Sequence, residues 1–284
     1  MRPTTDDKVL AGWNAMAIQA FAEAGVAFGE DAFLDAAVTA ASFVLSDLRR
    51  PDGRLLRSWR DGEPGGPAYA DDHALLASAS LTLFSRTGEL RWFREAKQLV
   101  DDLVRLFADP ERGGFFQTGI DVDPLVIRPK ELSDNAVPSG NSVAAEVLQR
   151  IGLLTGDQDL ERIGISALRL TRDALGRAPT GFGHALQALD LSVGPAQEIA
   201  IVGPPGDPMT KALAEEVTAV RFLPNAVLAI AAPDDREAAE AVALLRERPL
   251  VDGLPTAYVC RRFACRLPVT TPAELAAQLL EPAR

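Results

Sequence analysis

The chain has 284 residues, 47% of them hydrophobic and 24% charged, a composition typical of a globular protein and not of a disordered one. Its length allows one large domain or two smaller ones. The formal net charge of −11 disfavours nucleic acid and anionic membranes as partners, because clustered Lys and Arg bind both. No basic segment followed by an apolar run opens the chain, and its longest apolar runs are too short to cross a bilayer, so we expect a cytoplasmic protein.

The first two-thirds of the chain repeat a helical hairpin loosely, at a spacing of about 60–70 residues. In each unit a first helix opens at acidic or amide side chains and ends at a glycine that precedes an acidic residue. The predicted openings are Asp6-Asp7, Asp71-Asp72 and Asp134-Asn135, and the predicted ends are Gly29-Glu30, Gly88-Glu89 and Gly156-Asp157. A second helix follows each end.

The two helices of each unit differ in where their apolar residues fall. The second helices are amphipathic, with the i, i+3, i+4, i+7 spacing of a single buried face, as in Phe33–Leu48 and Trp92–Phe107. The first helices are apolar nearly all round and rich in small residues, as in Ala74–Phe84. A helix that is apolar on every side is buried on every side, so we expect the first helices inside and the second helices outside.

Inner helices that run the same way place their N-terminal ends at one mouth of the assembly, which the long loops 49–70 and 108–134 would line. The stretch 128–145 concentrates cations, carboxylates, amides and hydroxyls directly before an apolar helix. A helix N-terminus offers free N–H groups and a partial positive charge, which suit polar or anionic ligand groups. The alternative is structural: Ser139 or Asn141 caps the helix, and Asp134 complements its dipole.

The C-terminal part of the chain, from about Glu198, changes to short apolar segments separated by helical ones near 207–219 and 235–247. The segments predicted as buried strands are Glu198–Gly203, Ala226–Ala231 and Thr256–Cys260. This alternation favours a small parallel β/α unit. The turn Gly203–Pro208 lacks the spacing of a phosphate-binding loop, so a strand-to-helix connection is favoured over nucleotide binding.

The two cysteines, Cys260 and Cys265, favour a reducing compartment over a disulfide-stapled secreted fold. They are not in the Cys-x-x-Cys spacing of redox and zinc motifs, and no His-rich segment accompanies them. The sequence therefore predicts reduced cysteines, no metal site and no cofactor.

Several segments spread in order over nearly the whole chain carry a family resemblance. They are Arg2-Pro3, Asp6–Asn14, Tyr69–Asp72, Gly113–Phe116, the 128–145 stretch, Gln197–Gly203, and Ala257–Cys260 with Cys265. With them the chain resembles the C-terminal portion of the thioredoxin-domain proteins related to spermatogenesis-associated protein 20 and their bacterial homologues. The resemblance implies a six-hairpin toroid of the glycosidase and sugar-epimerase type, preceded by a thioredoxin-like domain. This chain has only about three and a half hairpins and no thioredoxin segment, so it resembles a truncated or split member.

The expected fold is therefore mainly α: a partial α/α toroid of six-hairpin glycosidase type in residues 1–196, followed by a small β/α unit in residues 197–284. Glycoside hydrolysis uses two carboxyl groups that flank the scissile bond, so the carboxylates of the mouth are the candidate catalytic groups. They are Asp71, Asp72, Glu131 and Asp134. The structural alternative is that Asp71 and Asp72 only complement the start of a helix.

Aromatic, cationic and polar side chains of the same mouth are the candidate substrate-binding groups. Trp13 and Trp59 would stack on a sugar ring, and Arg128 and Lys130 would hold a carboxylate or phosphate. The other candidates are Asn14, Asn135, Ser139 and Asn141. Core packing is the alternative for Trp13, and surface ion pairs are the alternative for the two cations.

The chain has two histidines, His73 and His184. Sugar epimerases with this toroid resemble each other in using paired histidines, but the family pattern usually has Tyr at the first position and an apolar residue at the second, which favours structural roles here. Two functions stay open: a carbohydrate-active or carbohydrate-binding toroid of unknown reaction with a small sugar ligand, or a non-catalytic scaffold for a thioredoxin-like domain. A mouth carboxyl with a raised pKa, opposite a second one, would distinguish them.

Overall fold

The computed structural model describes residues 6–123, 126–221 and 223–280, a mainly helical structure with two small sheets. Arg2-Pro3, the first segment of the resemblance, lies outside the described residues. No described helix is both long and apolar enough to cross a membrane.

Three helical hairpins and a single helix make up the first part of the chain, as the repeat predicts. The hairpins are α1 (Ala11–Phe28) with α2 (Asp31–Asp47), α3 (Ala70–Thr87) with α4 (Leu90–Phe107), and α5 (Gly140–Thr155) with α6 (Gln158–Arg177); the single helix is α7 (Gly183–Val193). The three predicted ends are confirmed, because Gly29, Gly88 and Gly156 follow the first helices in left-handed conformation, with φ of 68°, 71° and 76°. A residue without a Cβ adopts this conformation at little cost.

Two of the three predicted helix starts are wrong. Asp71-Asp72 does lie in the first turn of α3, but α1 begins only at Ala11 and α5 only at Gly140. The residues before α1 form a short strand, β1 (Val9–Leu10), which pairs with β2 (Ser58–Arg60) in an antiparallel sheet that β3 (Glu63–Pro64) completes. Before α5, the chain is irregular up to Ser139, which is extended and whose hydroxyl accepts the first-turn N–H of Ser142.

The helices form two layers, with α1, α3, α5 and α7 neighbouring one another in that order and α2, α4 and α6 each packed on its hairpin partner. The predicted inner position is clearest for α3 and α5, whose residues are mostly buried. Small residues allow the close approach inside a hairpin: a Cβ added at Gly25 of α1 would lie 2.9 Å from the backbone N of Leu34 in α2. At the end of the row, α1 leaves one face open, with Trp13, Phe21 and Phe28 exposed.

The N-terminal ends of the inner helices lie side by side, as expected for helices that run the same way. Gly12 N, at the start of α1, donates to Asp72 Oδ1 in α3 at 3.1 Å. A Cβ added at Gly140, the start of α5, would lie 2.9 Å from the backbone N of Asp71. Asp134 bridges the starts of α5 and α7. We call this row of helix starts the N-terminal edge; it corresponds to the mouth predicted from the sequence.

The C-terminal part forms a four-stranded sheet of order β5-β4-β6-β7, flanked by helices. Its elements are β4 (Gln197–Val202), α8 (Pro208–Thr218), β5 (Ala226–Ala231), α9 (Arg236–Ala241), β6 (Thr256–Arg261), β7 (Ala264–Cys265) and α10 (Pro272–Leu280). The three predicted strands and α8 are present, whereas α10 was not predicted. One face of the sheet packs with α8 and α10 around Ile199, Leu213 and Leu275, and the other joins the core of the helical hairpins through Ala200 and Tyr258.

The expectation of a parallel sheet is wrong. Among the described strands of this sheet, only β4 and β5 are parallel, joined by α8, while β6 pairs antiparallel with β4 and β7 antiparallel with β6. The connection from Ala231 to Thr256 is long enough for a parallel crossover, so the alternation of apolar and helical segments does not fix the strand direction. After α9, β6 enters the sheet beside β4 in the opposite direction.

The expectation of two reduced cysteines is also wrong in the structure, which joins Cys260 and Cys265 by a disulfide. The turn Arg262–Phe263 between β6 and β7 places the two cysteines directly opposite each other in the antiparallel pair. No Gly or Asn marks this turn in the sequence, although both turn residues have positive φ.

Candidate functional site

Asp72 is the most enclosed carboxylate of the N-terminal edge. Its oxygens accept hydrogen bonds from Gly12 N at 3.1 Å, Tyr69 N at 2.9 Å and Arg57 Nη1 at 2.8 Å. Burial and the neighbouring Asp71 carboxylate raise the pKa of Asp72 to about 6, against the opposite effect of these three donors. The N-terminal edge thus holds one carboxyl group, that of Asp72, which gains a proton as the pH falls through about 6.

The other three candidate carboxylates have different surroundings. Asp71 is about one-third exposed, with Oδ1 3.8 Å from Arg57 Nη1. Asp134 caps two helices: Oδ1 accepts from Ser139 N at 2.9 Å, and Oδ2 accepts from His184 N at 2.8 Å. Glu131 is exposed on the loop before α5. The edge therefore brings Asp71 and Asp72 together, while Asp134 is occupied by backbone N–H groups.

Asn141 and Ser139 are buried at the start of α5. The Asn141 side chain accepts from Phe115 N at 2.7 Å and donates to Phe115 O at 2.9 Å and to Glu131 O at 2.8 Å. Ser139 is the N-cap and also bonds the Ser142 hydroxyl. These contacts match the structural alternative for both residues, since each polar group already meets a protein partner.

The two candidate cations also contact the protein itself. Arg128 Nη2 donates to Thr118 O at 2.5 Å, and Lys130 Nζ lies 2.6 Å from Asp109 Oδ2 and from Gly113 O. Both cations lie over the ring of Phe116, at 4.3 Å and 4.8 Å from its centroid. Together they tie the second half of the loop between α4 and α5 to its first half.

The remaining binding candidates are spread along the edge. Trp13 is 63% exposed, so it is not packed in the core, and Asn14 donates to Leu10 O at 2.9 Å. Trp59, on β2, is half-buried with its ring edge-on to Phe43 at 5.4 Å. Asn135 is exposed. Of the aromatic candidates, Trp13 alone offers a mostly free face for stacking.

An open cleft of about 770 Å³ lies on the inner face of the helical layer, and none of the twelve candidates lines it. Polar side chains enter it from all four inner helices, while α8 and the start of β5 form its far wall. From α1 to α7 these polar side chains are Gln19, Glu23, Ser78, Thr82, Ser85, Arg86, Glu146, Arg150, His184, Gln187 and Asp190. Ligand sites typically have volumes of roughly 300–1,000 Å³, with a few convergent polar groups.

An ion-pair cluster forms one wall of this cleft. Glu146 Oε2 lies 2.8 Å from His184 Nε2, and Glu146 Oε1 accepts from Arg150 Nε at 2.7 Å. Burial alone would raise the pKa of Glu146, but Arg150 and His184 outweigh it and lower that pKa to about 2. Arg150 is fixed in turn by the carbonyl groups of Pro224 and Ala226. Glu146 is thus a permanent carboxylate at neutral pH, and it lies beside the His184 ring.

Arg86 enters the cleft from α3 without such a network. Its Nε is buried and meets no hydrogen-bond acceptor among the described residues. Burial lowers the pKa of Arg86, partly offset by Glu23. A guanidinium in this position is a donor that a ligand in the cleft can use.

His73 is fully buried and lies outside the cleft lining. Its Nδ1 is 2.8 Å from Tyr69 O, its Nε2 is 3.2 Å from Arg54 Nη1, and its ring packs against Phe107. Burial lowers the pKa of His73 to about 4, so the ring is neutral, with Nδ1 donating to the carbonyl. This surrounding fits the structural role expected for His73, whereas His184 reaches the cleft.

The sequence does carry one signal for the cleft. Glu146 and Arg150 are charged residues on α5, an inner helix that is otherwise almost wholly buried, and charge on such a helix requires a partner or an opening. The contact with His184 depends on how α5 and α7 pack, which no local pattern specifies.

Comparison with known proteins gives relatives of much greater length. No protein-family model matches the chain. Human spermatogenesis-associated protein 20 is 31% identical over 298 aligned positions, which cover 99% of this chain and 37% of that protein, and the mouse protein is 30% identical over 286 positions, which cover 95% and 35%. This chain is a homologue of spermatogenesis-associated protein 20. It spans little more than a third of the length of these relatives.

Among solved structures, cellobiose 2-epimerase from Spirochaeta thermophila has a TM-score of 0.48 and 18% identity, over 58% of this chain and 43% of the epimerase. The GH76 α-mannanase from Bacteroides thetaiotaomicron also has a TM-score of 0.48, with 14% identity over 61% of this chain and 47% of the mannanase. At this level of similarity nothing about the reaction of either protein is carried over.

Proposed function

We propose that this chain is part of an α/α toroid and binds a small carbohydrate in the cleft on the inner face of α1, α3, α5 and α7. The observation that carries this proposal is the Glu146–His184 pair in the wall of a cleft of about 770 Å³. Sugar hydroxyls each need donors and acceptors, and the amide, hydroxyl, carboxylate and guanidinium groups of the four helices supply both. The volume lies within the range typical of small-ligand sites.

His184 is the acid–base group in this proposal. The Glu146 carboxylate lies 2.8 Å from His184 Nε2, and this pair would present the imidazole as the proton donor or acceptor for a sugar hydroxyl in the cleft. A mechanism with two histidines gains no support here, because His73 is buried away from the cleft.

The N-terminal edge is the alternative site for binding the carbohydrate. There Asp72 would act as the general acid and Asp71 as its carboxylate partner, with Glu131 and Asp134 as further candidates. Trp13 would stack on the sugar. Only a sugar site at the N-terminal edge would use the remaining candidate binding residues, whose contacts to the protein described above compete with sugar binding. They are Asn14, Trp59, Arg128, Lys130, Asn135, Ser139 and Asn141.

A thermal melt with a panel of mono- and oligosaccharides tests both versions. A ligand that binds only the folded chain adds roughly 2.7 kcal/mol of stability at 100 times its Kd. We expect the shift in Tm to be lost in His184→Asn and kept in Asp72→Asn and Glu131→Gln. Loss of the Tm shift in Asp72→Asn alone would place the sugar site at the N-terminal edge. A cooperative melt that no sugar shifts would count against the carbohydrate proposal.

A scaffold is the second candidate function, and the open face of α1 favours it. Trp13, Phe21 and Phe28 of α1 and Phe33 of α2 are exposed, with the rings of Phe21 and Phe33 in contact, and a group of exposed apolar side chains is typical of a docking surface. The proposed occupant is a thioredoxin-like domain, in keeping with the resemblance of this chain to a thioredoxin-domain family that has bacterial members. Phe28→Glu should abolish co-sedimentation with such a domain; unchanged co-sedimentation would exclude this face. A cytoplasmic location stays a prediction.

A further inference from the structure

The hairpin formed by β6 and β7 holds its two cysteines together by register. Positive φ angles of 48° at Arg262 and 62° at Phe263 are those of a type I′ turn, which matches the twist of antiparallel strands. Val259 O accepts a hydrogen bond from Arg266 N in the next pair of the ladder. Because hydrogen-bonded and non-hydrogen-bonded pairs alternate, Cys260 and Cys265 form a non-hydrogen-bonded pair, where opposed side chains lie closest.

The two sulfur atoms differ in access and share one cation. Cys260 is 1% exposed, whereas Cys265, on the short edge strand, is exposed. Arg248 Nη2 lies 3.1 Å from Cys265 Sγ and 3.9 Å from Cys260 Sγ. A guanidinium this close stabilises a thiolate, which is the form in which sulfur attacks and leaves.

The hairpin has anchors that do not involve the disulfide. The Glu198 carboxylate accepts hydrogen bonds from Arg262 N at 2.7 Å and Phe263 N at 2.8 Å, which hold the turn against β4. A Cβ added at Gly156, after α5, would lie 3.4 Å from the Phe263 ring, so the turn also lies against the helical region. Opening the disulfide therefore leaves the turn in place, with both sulfurs still opposed.

We propose that Cys260–Cys265 is a reversible thiol–disulfide site that exchanges with dithiols. A thiolate of the dithiol attacks the exposed Cys265 Sγ, the bond between the two cysteines breaks, and Cys260 leaves as a thiolate beside Arg248. The second thiolate of the dithiol then breaks the mixed disulfide and releases Cys265. The dithiol loses two electrons and becomes a disulfide, and the chain gains the two electrons as two thiolates that take up protons from water.

Thiol counting on the full chain tests this site. In protein purified without reductant and then denatured, we expect no free thiols; after dithiothreitol, two; and after removal of the reductant and addition of oxidised dithiothreitol, none again. Brief alkylation of the reduced native chain should label Cys265 at least about tenfold faster than Cys260, since labelling follows exposure of the thiolate. Arg248→Gln should slow reduction by about tenfold, whereas Arg236→Gln, on the exposed side of α9, should leave the rate unchanged.

Three outcomes would overturn the proposal. The first is two free thiols in the air-exposed chain that oxidised dithiothreitol does not join. The second is equal alkylation of both cysteines in the folded chain. The third is loss of the cooperative melt on reduction, which would make the disulfide a structural staple. Cys265→Ser separates folding from exchange: it should melt within a few degrees of the reduced wild type and show a single, slowly alkylated thiol.

Discussion

The carboxylate of Asp134 accepts a hydrogen bond from the backbone N–H of His184, with 2.8 Å between Oδ2 and N. The other oxygen accepts from Ser139 N, so a single side chain joins the starts of α5 and α7. These two helices carry Glu146 and His184 into the cleft. The polar loop that the sequence singles out therefore positions the helices whose side chains meet in the cleft.

Asp134→Ala should lower the free energy of unfolding by about 1–2 kcal/mol, because two helix starts lose their acceptor and a favourable charge. Asp134→Asn keeps one acceptor oxygen and should recover part of this loss. Urea denaturation at pH 7 measures the difference. Glu131→Ala, on the same loop but exposed, should change stability by less than about 0.5 kcal/mol; equal losses in both variants would show that the cap contributes nothing.

Glu146→Gln should destabilise the chain by about 3 kcal/mol at pH 7, because it leaves Arg150 and His184 without their carboxylate. The pKa of Glu146 is lowered from 4.5 to about 2 in the folded chain, so its stabilisation is complete above pH 4.5 and is lost as the pH falls toward 2. The difference in unfolding free energy between wild type and Glu146→Gln, measured in urea at several pH values, should therefore shrink by about 1 kcal/mol from pH 7 to pH 3.5.

Glu215→Gln is the matched control for this pH dependence, since Glu215 is an exposed glutamate paired loosely with Lys211 on α8. The difference in unfolding free energy between Glu215→Gln and wild type should stay small at every pH. A Glu146→Gln gap that does not change between pH 7 and pH 3.5 would mean that Arg150 and His184 do not hold the carboxylate in solution.

Asn141→Ala should lower the free energy of unfolding by about 2–4 kcal/mol, because it leaves the buried N–H and C=O of Phe115 without partners. Asn141→Asp is the matched control: it keeps the acceptor for Phe115 N but turns an oxygen toward two carbonyl groups. It should therefore be more stable at pH 4 than at pH 7, relative to wild type. If Asn141→Ala instead has nearly the unfolding free energy of wild type, the contacts of Asn141 to Phe115 contribute little, and Asn141 would be available to bind a ligand.

The sequence predicts best the features that depend on neighbouring residues. Gly29, Gly88 and Gly156 end the inner helices because a left-handed residue terminates a helix locally, and the alternation of apolar faces assigns the layers. The same reasoning misplaces the start of α5, because acidic residues before a helix look alike whether they lie in its first turn or cap it from a distance. Asp134 does the latter, through a contact to α7.

The cleft and the disulfide depend on packing between distant segments. Glu146 and His184 meet only after α5 and α7 align, and nothing near either residue in the chain specifies that contact. Cys260 and Cys265 are opposed because Arg262 and Phe263 both adopt positive φ, a conformation usually signalled by Gly or Asn. Here the Glu198 carboxylate on β4 holds the turn instead, a tertiary contact.

Asp72 should make wild-type stability fall as the pH rises through 6. Its pKa is raised from 3.8 to about 6, so the folded chain prefers the protonated form, and that preference stabilises it fully below pH 3.8 and is lost above 6. The free energy of unfolding relative to Asp72→Asn should drop by about 1 kcal/mol between pH 5 and pH 7.5. Asp71→Asn removes the neighbouring charge and should move this drop to lower pH. If the difference in unfolding free energy between wild type and Asp72→Asn does not change with pH, the Arg57 guanidinium keeps Asp72 ionised. Asp72 would then lack the proton that a general acid donates.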